Sequence, residues 1–383
     1  ERYDAEIIAV TGNLGQKEDW EALKQKALNT GASKVYVYDV ADDFITDYAW
    51  KALQAGAVYE GEYPLATAIG RPLLVKLLVE TAIKENTKII AHGCTGKGND
   101  QVRFEIGLKT LLPEVKILAP LREWEFKTRE DEIDYAVRNN IPINITKKSP
   151  YSIDENLWGC ATECGVLENT ENAPPADAFQ ITVSPELAPD EAAELEITFN
   201  NGNPTQINGV DYSPSELVTI LNKIGGENGI GRIDMIENRV VGIKSREVYE
   251  APGAVILHKT HTQLEKLVLD KDTLRFKELI SSKAANLIYD GHWFSPLFES
   301  VMKFVESTQK YVTGKIKISL YKGNITILSR QSDFSLYNES LATYSDGDSF
   351  DHSAAQGFID LSALPYHTMS LIRKTEFLEN AVE

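Results

Sequence analysis

A short β-branched run, Lys88-Ile89-Ile90-Ala91, leads directly into His92-Gly93-Cys94-Thr95-Gly96-Lys97-Gly98-Asn99-Asp100-Gln101-Val102-Arg103-Phe104-Glu105. The last residues of that stretch begin an apolar pattern at helical spacing, Phe104, Leu108 and Leu111. This order predicts a strand, a glycine-rich turn and a helix start. Parallel α/β sheets use that arrangement to present ligand-binding loops at the carboxyl ends of their strands. Three glycines allow backbone N–H groups to approach a ligand closely, and Thr95, Lys97, Asn99, Asp100 and Arg103 add donors, acceptors and both signs of charge. Asp100 and Arg103, three apart, fall on one helix face. Spacing alone also admits an ordinary strand-to-helix turn with solvated charges.

The same alternation extends to both sides. Apolar runs at 7–10, 35–38 and 115–118 read as strands, and helical spacing covers 20–28, about 42–54 and about 129–139. A further helix is expected to start near Pro72, whose fixed φ suits a first helical position, with Leu73, Leu74, Leu77 and Leu78 on one side. Strands alternating with helices imply a mostly parallel, doubly wound sheet whose ligand crevice gathers Gly12, Asn13 and the residues from His92 onward. Past Pro142 the character changes. No Lys or Arg occurs between Lys148 and Lys223, a one-signed stretch that suits a solvated face or a subunit contact. Strands are expected at 179–183, 195–199, 206–210, 239–243 and 254–257, and helices at 215–224 (ended by Gly225-Gly226), 273–289 and 295–309. A hairpin over 315–328 completes an α+β second part, and a weakly amphipathic tail begins near Ser362.

The net charge of −18 argues against nonspecific nucleic-acid binding, which needs a positive surface to displace counterions. No apolar run reaches the length of a membrane-spanning helix, and no signal-peptide pattern stands at Glu1, so a cytoplasmic protein is expected. Three cysteines do not make a disulfide framework; Cys160 and Cys164 read as buried or partly buried thiols, and no metal site is expected. His258, His261 and His292 read as structural.

The glycine-rich stretch is not a Walker A loop, since Gly93 stands only three residues before Gly96-Lys97 and Gly98 follows the lysine; no GxGxxG occurs either. The block 92–105 instead resembles the signature of the argininosuccinate synthase family. Four further blocks, 59–65, 152–158, 231–239 and 244–250, agree with it in order over nearly the whole chain. The resemblance implies an adenine-nucleotide alpha hydrolase-like α/β domain over 1–141, a synthetase and multimerisation domain over 142–361, and an oligomerising tail over 362–383 of a homotetramer. It implies ATP-dependent ligation of citrulline to aspartate through a citrullyl-adenylate, in arginine biosynthesis, with Mg2+ accompanying the nucleotide and no nucleophilic side chain. Carried over by position, Thr95, Asn99 and Asp100 would bind aspartate. Tyr63, Asn99, Arg103, Ser152, Glu237 and Tyr249 would bind citrulline, and Gly12 and Gly93 would meet ATP. Arg103 suits a carboxylate and Glu237 an N–H or ammonium donor.

Departures bear on the same resemblance. The family's first strand and its Ser-Gly-Gly-Leu-Asp-Thr-Ser pyrophosphate loop are expected before Glu1. Serines that many members use for citrulline align with Ala161, beside Thr162, and with Ala68, beside Thr67; Cys160 stands where Arg is frequent. Losing one hydrogen bond costs about 0.5–1.5 kcal/mol, a modest weakening of citrulline binding. The rival reading is a noncatalytic relative that keeps the amino-acid pocket and subunit contacts without adenylating.

Overall fold

The apolar runs of the first part form parallel strands with helices between them. In order these are β1 (Ile8–Asn13), α1 (Trp20–Asn29), β2 (Lys34–Asp39), α2 (Ala41–Phe44), α3 (Trp50–Ala55), α4 (Ala66–Lys84), β3 (Ile89–Ala91), α5 (Asp100–Leu111), β4 (Lys116–Leu118) and α6 (Arg129–Arg138). This computed structural model describes residues 5–124, 126, 129–139, 141 and 151–373. Strand β1 pairs with β2 in parallel, Ile8 opposite Lys34, and β3 pairs with β4, Ile89 opposite Lys116. Among the described residues the parallel strands thus form two separate pairs, and the glycine-rich loop leaves the carboxyl end of β3 for the start of α5.

The helix expected to begin at Pro72 begins six residues earlier, with Pro72 inside it. An interior proline gives up an N–H and costs about 3 kcal/mol in an exposed helix. Here Ala66, Ala68, Ile69, Leu73 and Val75 are all buried, so the helix is apolar around most of its girth and tertiary burial outweighs that cost. A π-helical turn, Ile45–Ala49, joins α2 to α3 where the pattern predicts one continuous helix.

The second part contributes β5 (Ser152–Asn156), β6 (Gly159–Glu163), β7 (Ala193–Asn200), β8 (Asn203–Ile207), β9 (Val210–Asp211), α7 (Pro214–Glu227), β10 (Arg232–Asn238), β11 (Lys244–Glu250), α8 (Pro252–Val268), α9 (Lys271–Tyr289), α10 (Pro296–Gln309), β12 (Gly314–Tyr321) and β13 (Asn324–Gln331). Two antiparallel sheets result, ordered β10-β11-β6-β5 and β13-β12-β7-β8-β9. The fold is therefore α/β followed by α+β. Contacts divide the chain into two compact units, Glu1–Phe334 and Ser335–Glu383. Within the first, a single buried cluster runs from Leu14, Phe44 and Tyr63 through Trp158 to Phe199, Leu257 and Ile318. The second contains α11 (Glu339–Ala342) and α12 (His352–Arg373), which starts ten residues before the expected tail and buries no side chain.

Several expected elements are corrected. Residues 239–243 form the turn between β10 and β11, with Arg239 N–H donating to the Ile243 carbonyl at 2.8 Å and Gly242 at φ 87°. Residues 254–257 lie in α8, a short apolar run that period alone does not separate from a strand. The return strand expected at 206–210 is shifted: Asn201-Gly202 already turns the chain, so β8 begins at Asn203, and Asn208-Gly209 turns it again. Gly225 and Gly226 do not end α7. They sit inside it, where a Cβ would come within 2.9 Å of Ile256 and Pro252, or 2.5 Å of the Ile181 carbonyl oxygen.

Residues 179–183 are not a strand either, because Glu250 takes their donors. Its buried carboxylate accepts from the N–H groups of Gln180 (2.5 Å), Ile181 (3.1 Å) and Thr182 (2.8 Å) and from the Thr182 hydroxyl (2.6 Å). Replacing one acceptor oxygen by an amide NH2 turns it against those donors. Glu250→Gln is expected to destabilise the protein by about 2–3 kcal/mol, read as a lower denaturant midpoint; an unchanged midpoint would contradict the role.

Candidate active site

Two cavities meet where β1 and β3 end. The first, of about 340 Å3, is walled by the glycine-rich loop and α5 on one side and by β5, β6, β10 and β11 on the other. Gly93, Thr95, Asn99, Asp100 and Arg103 line the first wall, and Ser152, Glu237 and Tyr249 the second. The structure thus brings together eight of the residues singled out from sequence. Gly12 lines the second cavity, of about 280 Å3, with His92, Leu74, Leu78 and Phe104. Tyr63 lines neither: it is 1% exposed and stacks behind Tyr249 at a ring distance of 3.8 Å. Its hydroxyl lies 2.9 Å from the Thr67 hydroxyl, and Thr67 does reach the first cavity.

Glu237, a candidate for a solvated acid by type, is 1% exposed. Tyr249 donates to one of its oxygens at 2.6 Å and Tyr289 to the other at 2.5 Å. Burial first, followed by Tyr63 and then Glu237 for Tyr249 and by Glu237 for Tyr289, pushes both phenols well above their ordinary range, so each stays a donor. Arg103 is also buried; its Nε–H donates to the Tyr289 carbonyl at 2.8 Å and its guanidinium lies 4.7 Å from the Tyr289 ring centre.

Asp100 opens α5 with its carboxylate between two arginines, Arg71 at 2.7 Å and Arg103 at 3.2 Å. Arg71 also pairs with Asp154 of β5. Burial raises the Asp100 carboxyl, but Arg71 and then Arg103 outweigh it and bring it down from 3.8 to about 2. Arg71 faces the second cavity and Asp100 the first, while Asp154 lines both, so this charged trio is the partition between them.

Sequence reasoning missed several of these groups. Arg71 sits in an apolar run beside Pro72 and carries no local signal. Asp154, Arg239 and Glu247 lay inside resembling blocks without a role assigned. Arg239 of the β10–β11 turn is held by Glu163 and by Glu247 at 2.8 Å, and all three line the first cavity. Burial, then Glu163 and Glu237, push the Glu247 carboxyl upward against the pull of Arg239. The alanine positions resolve into different situations. Ala161 lines the cavity and Ala68 is fully buried. Thr162, next along β6, faces the opposite side of the strand from Ala161 and does not replace a serine there. Of the cysteines, Cys94 lines the first cavity, with burial raising its thiol to about 11, while Cys160 is buried and Cys164 partly so. His258 and His261 lie in α8, outside both cavities.

Comparison with known proteins agrees with this architecture. The family model for the arginosuccinate synthase N-terminal HUP domain matches residues 1–142, and that for the arginosuccinate synthase C-terminal domain matches residues 151–369. The chain is similar to argininosuccinate synthase of Chlorobium luteolum, with 57% identity over 370 residues, covering 97% of this chain and 92% of that one. It is 56% identical over 374 residues to the synthase of Chlorobium chlorochromatii, covering 98% and 94%. With that of Chlorobaculum tepidum it shares 55% over 377 residues, again covering 98% and 94%.

The depressed carboxyl of Asp100 sets a sign for acid stability. Because its folded value lies below the unfolded one, it contributes stability that is full above about pH 4 and lost as pH falls toward 2. Asp100→Asn should therefore flatten the acid limb of unfolding stability by about 1–2 kcal/mol in a pH series, and an unchanged limb would contradict the pairing.

Proposed function

The chain belongs to the argininosuccinate synthase family, and we infer from this that it ligates citrulline to aspartate with ATP, releasing argininosuccinate, AMP and pyrophosphate, in arginine biosynthesis. The noncatalytic reading is not supported: the relatives that match nearly the whole chain are named as the synthase. The observation that carries the site assignment is the clustering of loop residues 93–103 with Ser152, Glu237 and Tyr249 around one cavity.

A ureido carbon is a poor electrophile. The reaction therefore first bonds the ureido oxygen to the α-phosphorus of ATP as the bond to pyrophosphate breaks. The aspartate amine, having lost a proton, then bonds to the ureido carbon as the C–O bond to AMP breaks. Neither step needs a nucleophilic side chain; the protein supplies position and charge. On this reading citrulline lies in the first cavity against Arg103, Ser152, Glu237 and Tyr249. Arg103 suits its carboxylate and Glu237 its ammonium, since both protein charges are already buried and partnered. Aspartate lies against Thr95, Asn99 and Asp100, on the loop side of the same cavity. Tyr63 supports the citrulline end through Tyr249 and Thr67. ATP reaches from the Gly12 cavity past the Arg71–Asp154 partition to Gly93, with its α-phosphorus meeting the ureido oxygen there.

Magnesium fits this site as a companion of the nucleotide. Among the described residues no group of three or more His, Cys, Asp or Glu side chains is placed to hold a metal ion, so phosphate oxygens would be its main ligands, with Asp154 the partition carboxylate that lines both cavities. Bound there it supplies charge neutralisation on the pyrophosphate.

The division at residue 141 is read as functional, with the nucleotide and aspartate positions before it and Ser152, Glu237 and Tyr249, half of the citrulline positions, after it. Assembly is read as a homotetramer: α12 presents Phe358, Leu361, Leu364 and Leu371, each at least half exposed within its own unit. A cytoplasmic location suits the reactants, and among the described residues no helix is long and apolar enough to cross a membrane.

The assay is steady-state pyrophosphate release from ATP, whose sustained turnover should require citrulline and aspartate together; sustained release lacking one of the amino acids, or none with both, would overturn the reading. Glu237→Gln should raise the citrulline KM by about tenfold or more, the effect of weakening one charge-assisted contact, and leave the ATP KM within about twofold.

A further inference from the structure

Tyr289 lines neither of these two cavities, yet it contacts three of the residues assigned to the amino acids. It is the last residue of α9 and is fully buried. Its hydroxyl donates to Glu237 at 2.5 Å and accepts from the Asn99 side-chain amide at 2.8 Å. Its ring faces the Arg103 guanidinium and its carbonyl accepts from Arg103 Nε–H. Its other face stacks on Tyr59 at 3.6 Å with the rings within 4° of parallel, and the Tyr59 hydroxyl donates to the Asn238 carbonyl, the residue after Glu237.

The end of α9 is held against α5 by shape as well. Gly291, at φ 82°, lies so close that a Cβ would stand 2.7 Å from Arg103 Cα. The second end of Asn99 is also engaged: its carbonyl oxygen accepts from Val240 N–H at 2.9 Å. Asn99 therefore spans from the glycine-rich loop to the β10–β11 turn, with the Tyr289 hydroxyl setting which way its amide points. A phenol hydroxyl has one proton to give, and here it is committed to Glu237, so the Asn99 NH2 must be the donor to Tyr289. One hydroxyl thereby orients the carboxylate assigned to citrulline and the amide shared by both amino acids.

We propose that Tyr289 is a positioning residue for both amino-acid substrates, acting through Asn99 and Glu237 without touching either substrate. This rests on the citrulline and aspartate assignments above. Its role is separate from nucleotide binding, since none of its partners lines the Gly12 cavity.

The test is steady-state kinetics of Tyr289→Phe beside the unaltered protein. Phenylalanine keeps the ring, the stack on Tyr59 and the carbonyl that holds Arg103, and removes only the hydroxyl. The expected result is a citrulline KM raised about tenfold or more, an aspartate KM raised in the same direction, and an ATP KM within about twofold, with a modestly lower melting temperature because a buried hydroxyl between Glu237 and Asn99 is lost. In a Glu237→Gln background the same change should raise the citrulline KM by less than it does alone, because part of its effect runs through Glu237 and only the Asn99 part remains. Unchanged amino-acid KM values, full additivity with Glu237→Gln, or an ATP KM that rises equally would each overturn the proposal. Should Tyr289→Phe not fold, 3-fluorotyrosine at position 289 keeps the shape and alters the hydroxyl's donor strength. It must then shift the citrulline KM and leave the ATP KM in place, and no shift would overturn the proposal. If the unaltered protein itself turns over without amino-acid dependence, it is the functional reading that fails, not this one alone.

Discussion

A buried carboxylate is tolerated only when its oxygens are satisfied, and Glu237 meets that condition with two tyrosine hydroxyls drawn from different elements. Much of the site follows from this requirement. Tyr249 comes from β11, the neighbour of the strand that carries Glu237, and Tyr289 from the end of α9. Each is stacked on another tyrosine, Tyr63 and Tyr59, both supplied by the segment between α3 and α4. The carboxylate thus fixes one sheet, one helix end and one connecting segment relative to each other. Asn99 extends the arrangement to the glycine-rich loop.

The second constraint is the charged partition. Arg71 is 11% exposed on a mainly apolar helix, and it is kept there by two carboxylates from other elements, Asp100 at the start of α5 and Asp154 in β5. With Arg103 also paired to Asp100, two cations against two anions leave the wall between the cavities close to neutral and hydrogen-bonded. Adenylation needs this kind of boundary, because nucleotide phosphate and ureido oxygen must meet across it without a water-filled gap.

How much of this was legible in the sequence depends on how local the cause is. The strand, turn and helix around residues 89–111 are local, and period, glycines and the Asp100–Arg103 spacing disclosed them. So were helices α9 and α10 and the β12–β13 hairpin, with its Lys322-Gly323 turn. The misread segments are those governed from a distance. Residues 179–183 alternate like a strand, but 180–182 give their N–H groups to Glu250, some 70 positions later. Gly225-Gly226 resembles a helix stop, yet the glycines serve close packing against α8 and the 181 segment. Residues 254–257 were too short a run for period to assign. In the site, recognition of five ordered blocks reached the cavity-lining residues, while Arg71 and Tyr289 escaped because each acts through partners remote in the chain.

In the proposed function citrulline is activated at its ureido oxygen by the α-phosphate of ATP, in the cavity shared by the glycine-rich loop and Glu237. The most direct measurement is the fate of that oxygen. With citrulline labelled by 18O in the ureido group, mass analysis of the released nucleotide should find the label in the AMP phosphate. Unlabelled AMP, formed while argininosuccinate accumulates, would contradict it.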